Sequence, residues 1–173
     1  MRRRLLFPVL LLVVSSVGAC TSDDGQLTGV IAEEAAMPTI EAETLDGGTA
    51  STADLAGSPS VVNVWATWCA PCQAELPALV DVATAYDGRV GFLGVNYVDN
   101  AAAASSWEKD YGLPYPSLDD ASGTFADDLG FPYLPHTLVV DAGGTIRYRI
   151  FGETTEEELS GLLDELLAEA SAA

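Results

Sequence analysis

Two cysteines separated by two residues, Trp68-Cys69-Ala70-Pro71-Cys72, stand between an apolar run and a stretch with helical spacing. The run is Val61-Val62-Asn63-Val64-Trp65. Short, β-branched and almost wholly apolar, it reads as a buried strand. Beyond the cysteines, Leu76, Leu79, Val80 and Ala83 fall on one face of a helix expected over residues 71–86. The pair therefore sits where a strand hands over to a helix. Two intervening residues on a first helical turn bring the Cα atoms to about 5–5.5 Å, within reach of a disulfide. Cys69 meets the unpaired N–H groups and positive dipole end of the helix, which favour thiolate over thiol. Such placement can lower a cysteine from about 8.5 toward roughly 4–7. Pro71 suits the first helical position because it has no N–H to lose. Cys72, one turn in, is expected to be the more shielded, resolving thiol. Two other uses of the pair stand beside redox exchange. Zinc needs four ligands, and besides this pair only His136 is at hand. An inert structural disulfide would close a loop too short to gain much chain entropy, at a helix start that activates the sulfur.

A third cysteine, Cys20, makes the count odd. Arg2, Arg3 and Arg4 precede an apolar run over residues 5–14, and small residues lead on to Val17-Gly18-Ala19-Cys20. This is the layout of a secretory signal over residues 1–19, too short to span a bilayer. An uncleaved anchor would need about twenty apolar residues. Thr21-Ser22-Asp23-Asp24 ends the run too early for that. Val-Gly-Ala-Cys resembles the lipobox of bacterial lipoproteins. The resemblance implies cleavage before Cys20 and diacylglycerol on its sulfur, an anchor of two or more acyl chains on the extracytoplasmic side of the cell membrane. Plain secretion is the alternative. With Cys20 lipidated, Cys69 and Cys72 are the only thiols left, in a compartment where thiol chemistry is live. Residues 21–37 are small, acidic and aperiodic, so residues 20–37 read as a flexible, lipid-anchored tether ahead of one domain over 38–173. The balance of 7 Lys+Arg against 26 Asp+Glu gives a net charge of −19, which argues against nucleic acid. Loss of the three leader arginines with the signal makes it −22.

Within the domain, residues 39–43 and 49–51 flank Asp46-Gly47-Gly48 as a hairpin. A second buried strand is expected over 90–96, a helix over 101–111, and a short helix capped by Ser122 and running through Leu129. Residues 136–140 and 145–151 flank Asp141-Ala142-Gly143-Gly144 as another hairpin. The last helix opens with Thr154 and Thr155, each followed three residues on by a glutamate, the capping-box spacing. Its apolar face is Leu159, Leu162, Leu163, Leu166 and Leu167. Strands alternating with helices and closed by a hairpin and a helix make an α/β sandwich on a mixed sheet.

The segment from Val61 to Pro77, Val-Val-Asn-Val-Trp-Ala-Thr-Trp-Cys-Ala-Pro-Cys-Gln-Ala-Glu-Leu-Pro, closely resembles the signature of TlpA/ResA-like thioredoxin-fold proteins, relatives of the AhpC/TSA redoxins. Leu134-Pro135-His136-Thr137-Leu138-Val139-Val140-Asp141, then Gly144-Thr145-Ile146, resembles that family's cis-proline strand and hairpin. The likeness covers residues 38–170. It implies an α/β thioredoxin fold: a central mixed β-sheet with helices on both faces, an N-terminal β-hairpin and a helical insertion. It further implies that Pro135 is a cis-proline facing the cysteines, a trans proline in that loop being the plain alternative. The backbone of Leu134 would then pair with an incoming peptide. Thioredoxins proper bury an aspartate on the strand before the cysteines, and here that position is Asn63, which carries no proton. The resemblance makes Glu75 the replacement proton-handling group, one helical turn beyond Cys72 on the same face. Burial would raise its pKa, as a general acid/base near neutral pH requires. A solvated surface glutamate is the alternative. Trp65 is expected in the core and Trp68 on the exposed rim as a substrate contact. Pro77 is expected to kink the helix. His136 departs from the Thr or Glu expected after the cis-proline, and its reading as a structural residue stands against a part in thiolate chemistry.

The chemistry these residues support is thiol–disulfide exchange: Cys69 attacks, a mixed disulfide forms, and Cys72 resolves it into a redox-active Cys69–Cys72 disulfide. No nucleotide motif exists and no cofactor or metal is expected, so electrons must arrive from another thiol. By the resemblance, the donor is a membrane protein and the substrates are disulfides of exported proteins, apocytochrome c among them. The same pair run backwards would make an oxidant that installs disulfides. A lipid-anchored thioredoxin-fold binding protein without turnover is a third reading. A peroxiredoxin is set aside, since Ala66 stands where that family's threonine would be.

Overall fold

The computed structural model describes residues 29–130 and 133–172. Eight strands and four helices follow in the order β1 (Gly29–Ala36), β2 (Glu41–Glu43), β3 (Thr49–Ser51), β4 (Ser60–Trp65), α1 (Ala70–Ala85), β5 (Gly91–Tyr97), α2 (Ala101–Tyr111), β6 (Ser117–Asp120), α3 (Thr124–Asp128), β7 (His136–Val140), β8 (Thr145–Phe151) and α4 (Glu156–Ala172). Six strands form one sheet in the order β1-β8-β7-β4-β5-β6, and β2 pairs with β3 as a separate hairpin. β4, β5 and β6 run parallel, while β7, β8 and β1 are added antiparallel. The sheet is therefore mixed. All six residues of β4 are buried, as a central strand between two neighbours requires.

The two faces of β4 look onto two layers. Val61, with Val139 of β7 and Ile150 of β8, packs under α1 and α4 through Leu76, Leu79, Leu159, Leu163 and Leu166. Val62 and Val64, with Leu138 and Val140, pack against Ile40 ahead of β2 and Ala126 of α3. Helices lie on both faces, and α2 with β6 and α3 is the helical insertion between β5 and β7. Trp107 of α2 stacks on Trp65 at 4.8 Å between ring centroids. Trp65 is buried, as expected, and its indole N–H donates to Ser117 Oγ at 3.1 Å. That bond crosses over Gly94, where a Cβ would lie 2.1 Å from Ser117 Oγ, so β5 has glycine where the two strands are bridged.

Three local expectations change. Residues 29–36, read as part of the tether, form β1 and pair with β8 from Gly29↔Phe151 to Ala36↔Thr145. The ordered domain thus begins before Pro38. The register shifts between Ala32 and Ala35, and most of β1 is exposed, so no alternation of apolar and polar positions marks it. α3 takes its N-cap from Gly123, at φ 77°, rather than from Ser122. Asp120 instead accepts the N–H of Ala126 at 2.9 Å. α4 shares its cap between both threonines: Thr155 Oγ1 accepts the Glu158 N–H, and the Thr154 hydroxyl donates to Glu158 Oε2. Pro77 stands inside α1, where the sequence placed it.

Candidate active site

Ala66 to Cys69 make the turn from β4 into α1. Cys69 is the N-cap, with extended backbone at φ −90° and ψ 103°, and Ala70 and Pro71 are the first helical residues. Cys69 and Cys72 are joined as a disulfide with 5.3 Å between Cα atoms. The Cys72 N–H points at Cys69 Sγ, 3.2 Å away, so the helix start already offers this sulfur a donor. Cys69 is 5% exposed and Cys72 1%, which leaves Cys69 as the outward member.

Glu75 lies one turn deeper on the same helix and is 2% exposed. Its Oε1 accepts from Asn63 Nδ2 at 2.9 Å, and its Oε2 accepts from the Thr154 N–H at 3.1 Å. Asn63 also donates to Thr137 Oγ1 at 3.0 Å, so one amide links β4, α1 and β7. Burial pushes the Glu75 carboxyl up to about 8, against the downward pull of the Asn63 and Thr154 bonds. Asn63 carries no proton of its own to exchange. Its amide instead holds the Glu75 carboxyl.

On the outer side, Trp68 is 59% exposed, and its indole N–H donates to the carbonyl of Val98 at 3.2 Å. Val98 follows β5 at φ 42°, a left-handed backbone unusual for a β-branched residue and typical of functional sites. Next to it, Asp99 accepts from the Thr67 N–H at 2.6 Å, the Thr67 hydroxyl at 2.8 Å, the Asn100 N–H at 2.7 Å and Asn96 Nδ2 at 3.2 Å. Burial works upward on this carboxyl, but the four bonds hold it below the ordinary aspartate value. Asp99 thereby ties the turn that carries Trp68 and Cys69 to the end of β5. Sequence reasoning missed it, although an acid placed between a buried strand and the helix cap Asn100 was a readable signal.

The Leu134–Pro135 bond is cis, and Leu134 is buried in the same cluster as Cys69 and Cys72. His136, the first residue of β7, is fully buried, its ring edge-on to Phe151 at 4.8 Å. Its Nε2 is 2.8 Å from Arg149 Nη1. A guanidinium has only donors, so Nε2 accepts and the ring is a neutral imidazole. Burial, with the Arg149 charge beside it, brings its pKa down to about 3. His136 therefore stands as a neutral, structural residue at neutral pH. Cys69, Cys72, Glu75, Trp68, Leu134 and Pro135 all lie at or beneath the start of α1 or in the connection into β7. The secretory signal, the lipidation of Cys20 and the first residues of the tether lie outside the described residues.

The family model for the AhpC/TSA family matches residues 34–149. The chain is 41% identical over 125 residues to the thiol:disulfide interchange protein DsbE of Pseudomonas aeruginosa, covering 69% of this chain and 68% of that one. It is 35% identical to the thiol:disulfide interchange protein HelX of Rhodobacter capsulatus, over 97% of this chain and 98% of the other. Its fold matches that of a secreted Mycobacterium tuberculosis disulfide oxidoreductase homologous to the Escherichia coli DsbE, with a TM-score of 0.68 and 32% identity over 73% of this chain and 96% of that one. With the disulfide at a strand-to-helix turn and a thioredoxin-type sheet behind it, the chain belongs to the AhpC/TSA family, in its TlpA/ResA-like branch of thioredoxin-fold thiol–disulfide oxidoreductases.

Proposed function

We propose that the protein is an extracytoplasmic, lipid-anchored reductase of disulfides in exported proteins, with apocytochrome c as one substrate. The observation that carries the reading is a disulfide at the start of α1 with a buried carboxyl one turn beneath it. The leader over residues 1–19 and Cys20 support the location. In the reducing half-cycle the Cys69 thiolate attacks a substrate sulfur, an S–S bond to Cys69 forms, and the substrate disulfide breaks. Cys72 then passes its proton to the Glu75 carboxylate and attacks Cys69. The Cys69–Cys72 bond forms as the Cys69–substrate bond breaks, and the substrate leaves with two electrons gained and takes both its protons from solvent, the Cys72 proton staying on Glu75. In the recharging half-cycle a dithiol on a membrane protein reduces the Cys69–Cys72 disulfide and is itself oxidised. Glu75, protonated at neutral pH in the disulfide state, gives its proton to the departing Cys72 sulfur. Trp68 and the backbone at Leu134–Pro135 would hold the polypeptide.

Equilibration with glutathione buffers tests the direction. A potential near or below about −250 mV is expected for a reductase, and one near about −120 mV would make the protein an oxidant. Replacing Cys72 by serine should accumulate mixed disulfides on Cys69 with exported proteins; a variant that traps none would point to a binding protein without turnover.

A further inference from the structure

Beyond the leader, the chain has four basic residues, Arg89, Lys109, Arg147 and Arg149. Arg89 lies over the ring of Tyr86, and Arg147 pairs with Asp141 and Glu169 at the surface. Arg149 of β8 is different: its side chain is 13% exposed and nearly every donor is engaged on a separate segment. Nε donates to Glu33 Oε2 at 2.7 Å and Nη2 to Glu33 Oε1 at 3.4 Å, a two-point grip on β1. Nη1 donates to the carbonyl of Leu129 and to His136 Nε2, both at 2.8 Å. Leu129 closes α3, and His136 opens β7 directly after Pro135. Both ends of the connection that carries Leu134–Pro135 are therefore held by one guanidinium, and β1 holds the guanidinium.

We infer that Arg149 is a positioning residue for the polypeptide-binding segment, fixing Leu134–Pro135 from behind while touching no substrate itself. The guanidinium is a rigid planar fork, so fixing it against Glu33 fixes its other two acceptors relative to β1. A latch needed only to hold β1 on the sheet would have no use for the inward pair of bonds, since the β1–β8 ladder already joins those strands. The inference rests on reading Leu134–Pro135 as the polypeptide site.

The test compares two disulfide substrates on the full-length chain: insulin, turned over with dithiothreitol, and dithiobis(nitrobenzoate), which is too small to need the segment. In Arg149→Met the KM for insulin should rise about tenfold, while kcat and the small-disulfide rate stay within about twofold. Arg149→Lys keeps the charge without the fork and should fall between wild type and Arg149→Met. Glu33→Gln, at the more exposed member of a part-buried pair, should raise the insulin KM about threefold. An unchanged insulin KM, or an equal loss on both substrates, would overturn the inference. Should Arg149→Met fail to fold, the ratio of the two rates in Arg149→Lys and Glu33→Gln decides by the same criterion. A wild-type protein that reacts with dithiobis(nitrobenzoate) and not with insulin would overturn the polypeptide site itself, and this inference with it.

Discussion

Glu75 shows how a single position changes meaning with burial. An exposed glutamate on so acidic a chain would be one more surface charge. Enclosed beneath the disulfide, with Asn63 and the Thr154 N–H on its two oxygens, its carboxyl is pushed up to about 8. It then holds a proton to donate at neutral pH, and the carboxylate left by that donation can take one back. Glu75→Gln preserves shape and an acceptor for one of the two bonds, while its NH2 faces a donor at the other, and it holds no exchangeable acid proton. Reduction of its disulfide by dithiothreitol should slow by about 10- to 100-fold at neutral pH, and the inflection near the carboxyl's pKa should vanish. A stopped-flow pH profile identical to wild type would remove the proton-transfer role. Asn63 and Asp99 work differently. Each organises neighbours through side-chain bonds that join separate elements, and neither would exchange a proton with substrate.

At the level of elements, the site is assembled from ends. α1 supplies the cysteines and Glu75, the end of β5 supplies Val98 and Asp99, and the start of β7 supplies the cis-proline segment. β1 brings no site residue, yet Glu33 connects it to Arg149 and through Arg149 to His136. A chain that begins at Pro38 should lose the β1–β8 ladder, the Met37 N–H to Gly144 carbonyl bond and the Glu33 pair. Its stability should fall by roughly 2 kcal/mol, several degrees in thermal midpoint, relative to a chain that retains β1. An unchanged midpoint would return residues 29–36 to the tether. The element was hard to read because most of it is exposed, its pattern is broken by a bulge, and its partner lies more than a hundred residues away.

For the whole molecule, two buried groups tilt stability in opposite directions. Glu75 has its folded pKa raised from 4.5 to about 8. Between those values the native state keeps a proton that the unfolded chain releases, so stability falls as pH rises. His136 has its folded pKa lowered from 6.5 to about 3. Between those values the unfolded chain binds a proton that the native state refuses, so stability falls as pH falls. The two slopes oppose each other between 4.5 and 6.5. Thermal midpoints should therefore decline above about pH 6.5 and again below about pH 4.5. Glu75→Gln should flatten the alkaline decline and leave the acid one in place; an equal alkaline decline in the variant would refute the assignment to Glu75.

Much of this architecture was legible before folding. The strand-to-helix placement of Cys69 and Cys72, the hairpin over β2 and β3, α2, and the β7–β8 hairpin with its following helix are set by periodicity and turn residues, signals that act over a few neighbouring positions. The proposed leader is a signal of the same class, since it would be read in order along the chain. What tertiary structure decided are the long-range matters: that Glu75 is buried rather than solvated, that Asp99 grips Thr67, that residues 29–36 are a strand, and that His136 is a neutral partner of Arg149. Each depends on groups brought together across dozens of residues in a low-dielectric interior. Local sequence sets which groups are available, and packing alone sets which of them lose their water.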